Sequence, residues 1–491
     1  MNKPDILIFN PDSYRGDVLG HLGNRGAVTP CFDALVRVGG GVSYANAFAQ
    51  NPVCTPSRCS FMTGWYPHVH GYRSMRNMLK SHDPSLFGVL RRNGYHVWWG
   101  GKNDLFAVEK PEDFLHFCDT KFRPASSRYT GYRSPPPLAP DDPRQGAFYG
   151  GVMPRDATAE YDDADRAHVD GAIARLRQAS DGRPLCMYLP LQFPHPAYHT
   201  LAKFYKRIDP ERLPPRIPAP DPAAGHPPVL NALRREFGAE QITDTMWLDV
   251  KRIYYAMCSQ IDHLFGQLVA ALKETGRYEN TLIVVLSDHG DFAGDYSLPE
   301  KTHQTLQDCL LRVPFIVKPP AGVPVRPGLR QALTELIDMP ATIYDLLQLD
   351  PEYTVQGRSL RASLAGDDAE TRDAVFAEVG KRPHEARGPA PEVSAMPPES
   401  FYPRQSRAAR PFNTIGSYAV SCRTRDFKYV RRAYTADHEL YDLRRDPGEC
   451  HNLHGAPEVA SVEAQLERRL LEYFMQTGDV LPRKQDSRQI H

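Results

Sequence analysis

No stretch of the 491-residue chain is apolar for long enough to cross a bilayer. Its opening, Met1-Asn2-Lys3-Pro4-Asp5, runs straight into Ile6-Leu7-Ile8-Phe9, without the apolar core and small-residue cleavage site of a secretory leader. These absences point to a protein without a membrane partner, working in the cytoplasm. Net charge is missing too: 59 Lys+Arg balance 59 Asp+Glu, which excludes a broad basic face for nucleic acid but leaves room for a local cationic pocket. The nine cysteines, odd in number and scattered, form no Cys-x-x-Cys pair. Neither a disulfide framework nor a zinc site is supported, and most of them read as small core residues. Repeats and low-complexity tracts are also absent.

What the chain does have is apolar runs that stop at polar side chains. Residues 5–9 read as a strand buried on both faces and lead into Asn10-Pro11-Asp12-Ser13. Residues 94–100 end at Lys102-Asn103-Asp104, 184–191 at Pro194-His195-Pro196, and 281–286 at Ser287-Asp288-His289. Open α/β sheets gather ligands at the carboxyl ends of such strands. Taken singly, Asp12 is also a turn residue, Lys102 a solvated strand end and Asp288 a turn cap. The Asp288-His289 pair has the carboxylate and imidazole chemistry of a divalent-cation site.

Between these strands lies Asn51-Pro-Val-Cys54-Thr-Pro56-Ser-Arg58-Cys-Ser-Phe-Met62-Thr-Gly64. Pro56 suits a first helical turn, which predicts a helix over 58–63 with Cys54 just ahead of its N-terminus. Backbone N–H groups and Arg58 would favour an anion there. A lone Cys-x-Pro reads first as a buried structural cysteine beside a turn.

Helices are expected over 30–41, 84–93, 248–272 (apolar at Ile253, Met257, Ile261 and Leu264), 338–347 and 457–474. Short alternating strands are expected over 418–423, 427–431 and 439–443. Residues 123–144 and 213–228 are proline-rich and read as binding loops. Residues 375–413, dominated by Pro, Arg and Ser, show neither period. The length suits a large domain, 1–375, and a smaller one, 376–491.

Cys54-Thr55-Pro56-Ser57-Arg58, followed by Met62-Thr63-Gly64, resembles the modification and active-site motif of the type I, formylglycine-dependent sulfatases of the alkaline phosphatase superfamily. The likeness runs along nearly the whole chain. It implies an α/β fold: an alkaline-phosphatase-like sandwich with a large, mostly parallel sheet flanked by helices, plus a C-terminal subdomain with a short antiparallel sheet. It implies a formylglycine-generating enzyme as transient partner, oxidising Cys54 to an aldehyde whose hydrate is the nucleophile. One divalent cation, calcium first with manganese or magnesium open, would be held by Asp12, Cys54, Asp288 and His289. Arg58, Lys102 and Lys301 would surround the sulfate, and His195 or Lys301 would protonate the leaving alcohol. Asp104 stands in place of a family histidine and becomes the candidate base, while Asn77 and His303 would face substrate. Ser13 stands where the family commonly has Asp or Gln.

The activity implied is hydrolysis of small sulfate monoesters, with choline-sulfatases and phosphonate monoester hydrolases as neighbouring branches. A phosphonate monoester or phosphodiester hydrolase is the alternative, against which Lys102 speaks. A binding protein keeping its thiol is the third reading. The Arg-rich C-terminal insertion leaves room for a homo-oligomer.

Overall fold

The computed structural model describes residues 3–124, 138–139, 141–153, 164–178, 181–366, 372–383, 385 and 391–483. The strands, in chain order, are β1 (Asp5–Asp12), β2 (Val42–Phe48), β3 (His96–Gly100), β4 (Thr120–Phe122), β5 (Tyr149–Met153), β6 (Leu185–Pro194), β7 (Tyr198–Leu201), β8 (Thr281–Leu286), β9 (Phe315–Lys318), β10 (Gly328–Glu335), β11 (Val375–Val379), β12 (Ala419–Arg423), β13 (Phe427–Arg432) and β14 (Glu439–Asp442). Eight of them form the main sheet in the order β10-β2-β9-β8-β1-β6-β3-β4. Strand β9 runs antiparallel to both of its neighbours, and the other pairs are parallel.

Alternation along β1 explains the layering. Leu7 and Phe9 enter one core with Ile253, Met257, Ile261 and Phe265 of the 31-residue helix Asp244–Glu274. Ile6 and Ile8 enter the opposite core, with Phe61 of the helix Cys54–Thr63 and Phe87 of the helix Leu86–Arg92. Successive side chains point to opposite faces, so a strand covered on both sides is apolar throughout. Each such Leu, Ile or Phe contributes roughly 1.5–3 kcal/mol on burial.

The smaller sheet is antiparallel, β11-β12-β13-β14, and the helix Ala460–Thr477 covers it through Leu466, Leu470 and Tyr473. Polar contacts join it to the main sheet. Phe376 N–H donates to the Glu335 carboxylate (2.8 Å), Glu378 N–H to the Gln50 carbonyl (2.9 Å), and Asn51 Nδ2 to the Glu378 carbonyl (2.7 Å).

Three local differences from the sequence reading have physical causes. The central helix begins at Cys54, not Arg58, because extended Val53 is its N-cap and Pro56 is accommodated in the first turn. The stretch read as aperiodic contains the helix Phe401–Ile415. Its buried stripe is Phe401, Gln405 and Ala409, in which a polar and a small residue conceal the period, and Pro411 lies inside it. The proline-rich stretch 213–228 leads into the helix Pro228–Phe237. The tract Ser134-Pro-Pro-Pro lies outside the described residues.

Candidate active site

Parallel strands deliver the chemistry to one edge. Asp12 ends β1, Asp288 and His289 follow β8, Lys102 follows β3, and His195 follows β6. After β2 the chain turns through Asn51, whose Oδ1 accepts from Val53 N–H (3.0 Å), and enters the helix at Cys54. That helix is buried along its whole length and stops at Gly64, whose φ of 75° suits glycine.

Asp12, Cys54, Asp288 and His289 are all buried, with ligand atoms within 4.8 Å of one another. Cys54 Sγ lies 3.1 Å from His289 Nε2 and 3.7 Å from Asp12 Oδ1. His289 Nδ1 is 2.7 Å from the Gly290 carbonyl, a contact that places the proton on Nδ1 and leaves the Nε2 lone pair facing the cluster. Burial pushes this imidazole down, towards its neutral, ligating form. Burial alone would raise the Asp12 carboxyl, but Lys102, His195 and Arg58 hold it well below the usual carboxylate range. Two carboxylates, an imidazole with a free lone pair and the residue 54 position fit a divalent cation in number, charge and protonation.

Arg58 binds the far sides of both carboxylates: Nη2 to Asp12 Oδ2 and Nε to Asp288 Oδ2, each at 2.8 Å. Ser13 braces the cluster. Its Oγ donates to Asp12 Oδ1 (2.9 Å) and its N–H to Asp288 Oδ1 (3.3 Å). The Cys54 thiol is pushed well above its ordinary value, by burial first and then by Asp12. Unmodified, it is a neutral thiol and a weak nucleophile.

Beside Cys54 opens a cavity of about 550 Å³. Lys102 enters it, with Nζ 2.5 Å from Asp12 Oδ2 and 2.7 Å from Asp104 Oδ2. Burial raises the Asp104 carboxyl, yet Lys102 and Arg58 outweigh it and hold the group below its ordinary value. On the opposite wall, Lys301 Nζ lies 3.0 Å from His195 Nε2 and pairs with the Glu300 carboxylate. His195 Nδ1 is 2.7 Å from the Pro196 carbonyl, so Nε2 is the atom that meets Lys301, Glu300 (3.2 Å) and the Tyr402 hydroxyl (3.4 Å). His303 is half-buried on the same wall and is pushed down to about 4 by burial and by Lys301. Asn77 is exposed and stays out of the lining, to which its neighbours Arg76 and Met78 contribute.

Glu300, Tyr402 and Gln405 were not anticipated. Glu300 adjoins Lys301, and its carboxylate beside the motif lysine was the available signal. Tyr402 and Gln405 ride on the helix that the sequence conceals.

Residues 4–349 match the family model described as Sulfatase. The chain belongs to the sulfatase family. This sulfatase is 26% identical to an ulvan-active sulfatase of Formosa agariphila over 97% of its own length and 82% of that protein. It is likewise 26% identical to the choline-sulfatase of Rhizobium meliloti, over 99% of this chain and 90% of that one. The crystal structure of the phosphonate monoester hydrolase of Agrobacterium radiobacter superposes with a TM-score of 0.77 at 21% identity, covering 98% of this chain and all of that one, and shows the shared fold. The sulfatase is a sulfuric ester hydrolase with an alkaline-phosphatase-like architecture. Among the described residues, no helix is long and apolar enough to cross a membrane.

Proposed function

We propose that this sulfatase hydrolyses small sulfate monoesters to alcohol and inorganic sulfate, using formylglycine derived from Cys54 and a divalent cation held by Asp12, Asp288, His289 and residue 54. The observation that carries the reading is that Cys54 belongs both to the four-residue ligand cluster and to the lining of a cavity that Lys102, Lys301 and His195 also line. Formylglycine, once installed by its generating enzyme, supplies a hydrated aldehyde: one hydroxyl to attack sulfur and a second through which sulfate is expelled. The cation supplies Lewis acidity at that hydroxyl. Hard carboxylate oxygens favour calcium, and His289 keeps manganese or magnesium open.

The chain's own residues do the rest. Arg58 fixes Asp12 and Asp288, so two buried negative charges persist side by side. Lys102 and Lys301 flank the position of the sulfonyl oxygens, where negative charge grows as the ester bond breaks. His195 Nε2 and Lys301 Nζ, at mutual hydrogen-bond distance, hold the proton for the leaving alcohol. Glu300 accepts from Lys301, lies 3.2 Å from His195 Nε2, and keeps both groups turned into the cavity. Asp104, ion-paired with Lys102, is the proton acceptor for sulfate release.

A panel of sulfate esters assayed for inorganic sulfate, run beside phenyl phosphonate esters, tests the reading. The mass of the tryptic peptide carrying Cys54 is measured in parallel. Preference for sulfate esters together with the formylglycine mass is expected. A large preference for phosphonate esters, or an unmodified thiol after co-expression with the generating enzyme, would overturn it.

A further inference from the structure

Beyond its sulfate corner the cavity continues along a wall contributed by the smaller sheet and the helix Phe401–Ile415. Among the described residues, the two carboxylates that line it, Asp104 and Glu300, are each already paired with a lysine, Lys102 and Lys301. Lys381 lines the same wall, half-buried, and its ammonium makes no ion pair or hydrogen bond with any described residue. Removing a charge from water without a partner is costly. Burial and the positive charge of Arg76 both push the Lys381 ammonium down. Among the described residues, the acidic group that acts on it is Glu385, which is engaged by Arg73.

The backbone holds Lys381 in place. Its carbonyl accepts from Ser417 N–H (2.9 Å) and Tyr418 N–H (3.1 Å), and its own N–H donates to Ser417 Oγ (3.2 Å). Gly380 before it has φ 88°, and a Cβ there would lie 2.1 Å from the Ser417 carbonyl oxygen. The clamp leads this cation into the cavity, beside apolar Met75, Met78, Val393 and Met396. His303 lies within the field of both Lys301 and Lys381, and at about 4 it is neutral at working pH. It therefore adds no charge of either sign beside Lys381.

We propose that the alcohol half of the substrate carries a second anionic group, a carboxylate or a further sulfate, which docks on Lys381. The proposal rests on the sulfate-ester reading for the identity of the first group. The second anion would complete the charge that the wall lacks, while the apolar side chains cover the carbon skeleton between the two groups.

The test uses the formylglycine-bearing enzyme with phenyl sulfate, 3- and 4-carboxyphenyl sulfate, and 1,3-phenylene disulfate. At least one anionic ester should exceed phenyl sulfate in kcat/KM by ~10-fold or more, the worth of a charge-assisted contact. Lys381→Met should erase that advantage through KM while leaving phenyl sulfate turnover unchanged, which also shows that the variant folds. Which ester gains tells a carboxylate from a second sulfate. Equal kcat/KM for all four esters, or an equal loss on every ester in Lys381→Met, overturns the proposal. Calorimetric binding of the same esters to Cys54→Ser, which cannot turn over, reads the anion preference without chemistry. Charge-selective binding that Lys381→Met abolishes, with no ester hydrolysed by the wild type, would uphold the second-anion site and sink the hydrolase reading. Turnover without selectivity would do the reverse.

Discussion

Arg58 does more by position than by charge. Fully buried, it gives Nε to one carboxylate and Nη2 to another, a fork that lysine cannot reproduce. Arg58→Ala should destabilise the fold by about 3–5 kcal/mol, because two buried carboxylates lose the guanidinium they share and Asp12 keeps only Lys102. Arg58→Lys should recover only part of that loss, as read from denaturant midpoints. Glu300 calls for a different readout. If it keeps Lys301 and His195 aimed at the leaving oxygen, Glu300→Gln should lower kcat by ~10²-fold for alkyl sulfates, the scale of a general-acid contribution. It should cost far less for p-nitrophenyl sulfate, whose leaving group needs little protonation, and Glu300→Asp should restore part of the alkyl rate. Equal losses on both substrates would assign Glu300 a merely structural role. At this scale the sequence was legible where residues sat in one contiguous motif, as with Cys54 and Arg58. It marked Ser13 only as a departure from the family's Asp or Gln, because the residue's part as a brace depends on Asp288 lying across a strand pair.

At the scale of the element, strand ends aim the site. Gly101 carries β3 into Lys102 at φ 138°, and a Cβ there would lie 2.1 Å from the Pro190 carbonyl oxygen. Gly101→Ala should cost about 1–3 kcal/mol in strain and displace Lys102, raising KM for sulfate esters more than it lowers the melting temperature. Asp262 of the helix Asp244–Glu274 accepts from Cys31 N–H (3.0 Å) and Phe32 N–H (2.8 Å), joining that helix to the start of the helix Pro30–Arg37. Burial pushes the Asp262 carboxyl up to about 7, against the pull of those backbone hydrogen bonds. The folded chain therefore keeps a proton that the unfolded chain releases near ~3.9. The stabilisation from this group is complete below that value and is lost as pH rises through about 7. The unfolding free energy from urea titrations should fall across the window by at most ~1.4 kcal/mol per pH unit, and Asp262→Asn should flatten the slope. Elements with a clean period were legible: β8 matches its expected limits, 281–286. The helix Phe401–Ile415 was not, because its inward face carries Gln405 and Ala409 where the apolar signal should be.

For the whole molecule, the question is how the smaller sheet is tied to the larger. Lys428 of β13 is buried between Glu449 (2.5 Å) and Asp308 (3.0 Å), and Arg423 of β12 holds the other Asp308 oxygen (2.9 Å). Asp308 opens the short helix that precedes β9 of the main sheet, so this ion network joins the two sheets. We propose that residues 376–491 complete the substrate cavity and unfold together with the main sheet. Tryptophan fluorescence, all of which arises before residue 248, and far-UV circular dichroism should report one coincident transition. Lys428→Met should lower stability by about 3–5 kcal/mol and separate the two probes.

The sequence by itself determined the family, the strand ends and the residues of the candidate ligand cluster, because strand period, burial and a contiguous motif are encoded among near neighbours along the chain. Only the tertiary structure decided that Glu300 turns onto His195, that Ser13 braces Asp288, and that Lys381 from the second sheet faces the cavity of the first. Those contacts join segments far apart in the chain, and no local pattern of residues records a distance that packing alone creates.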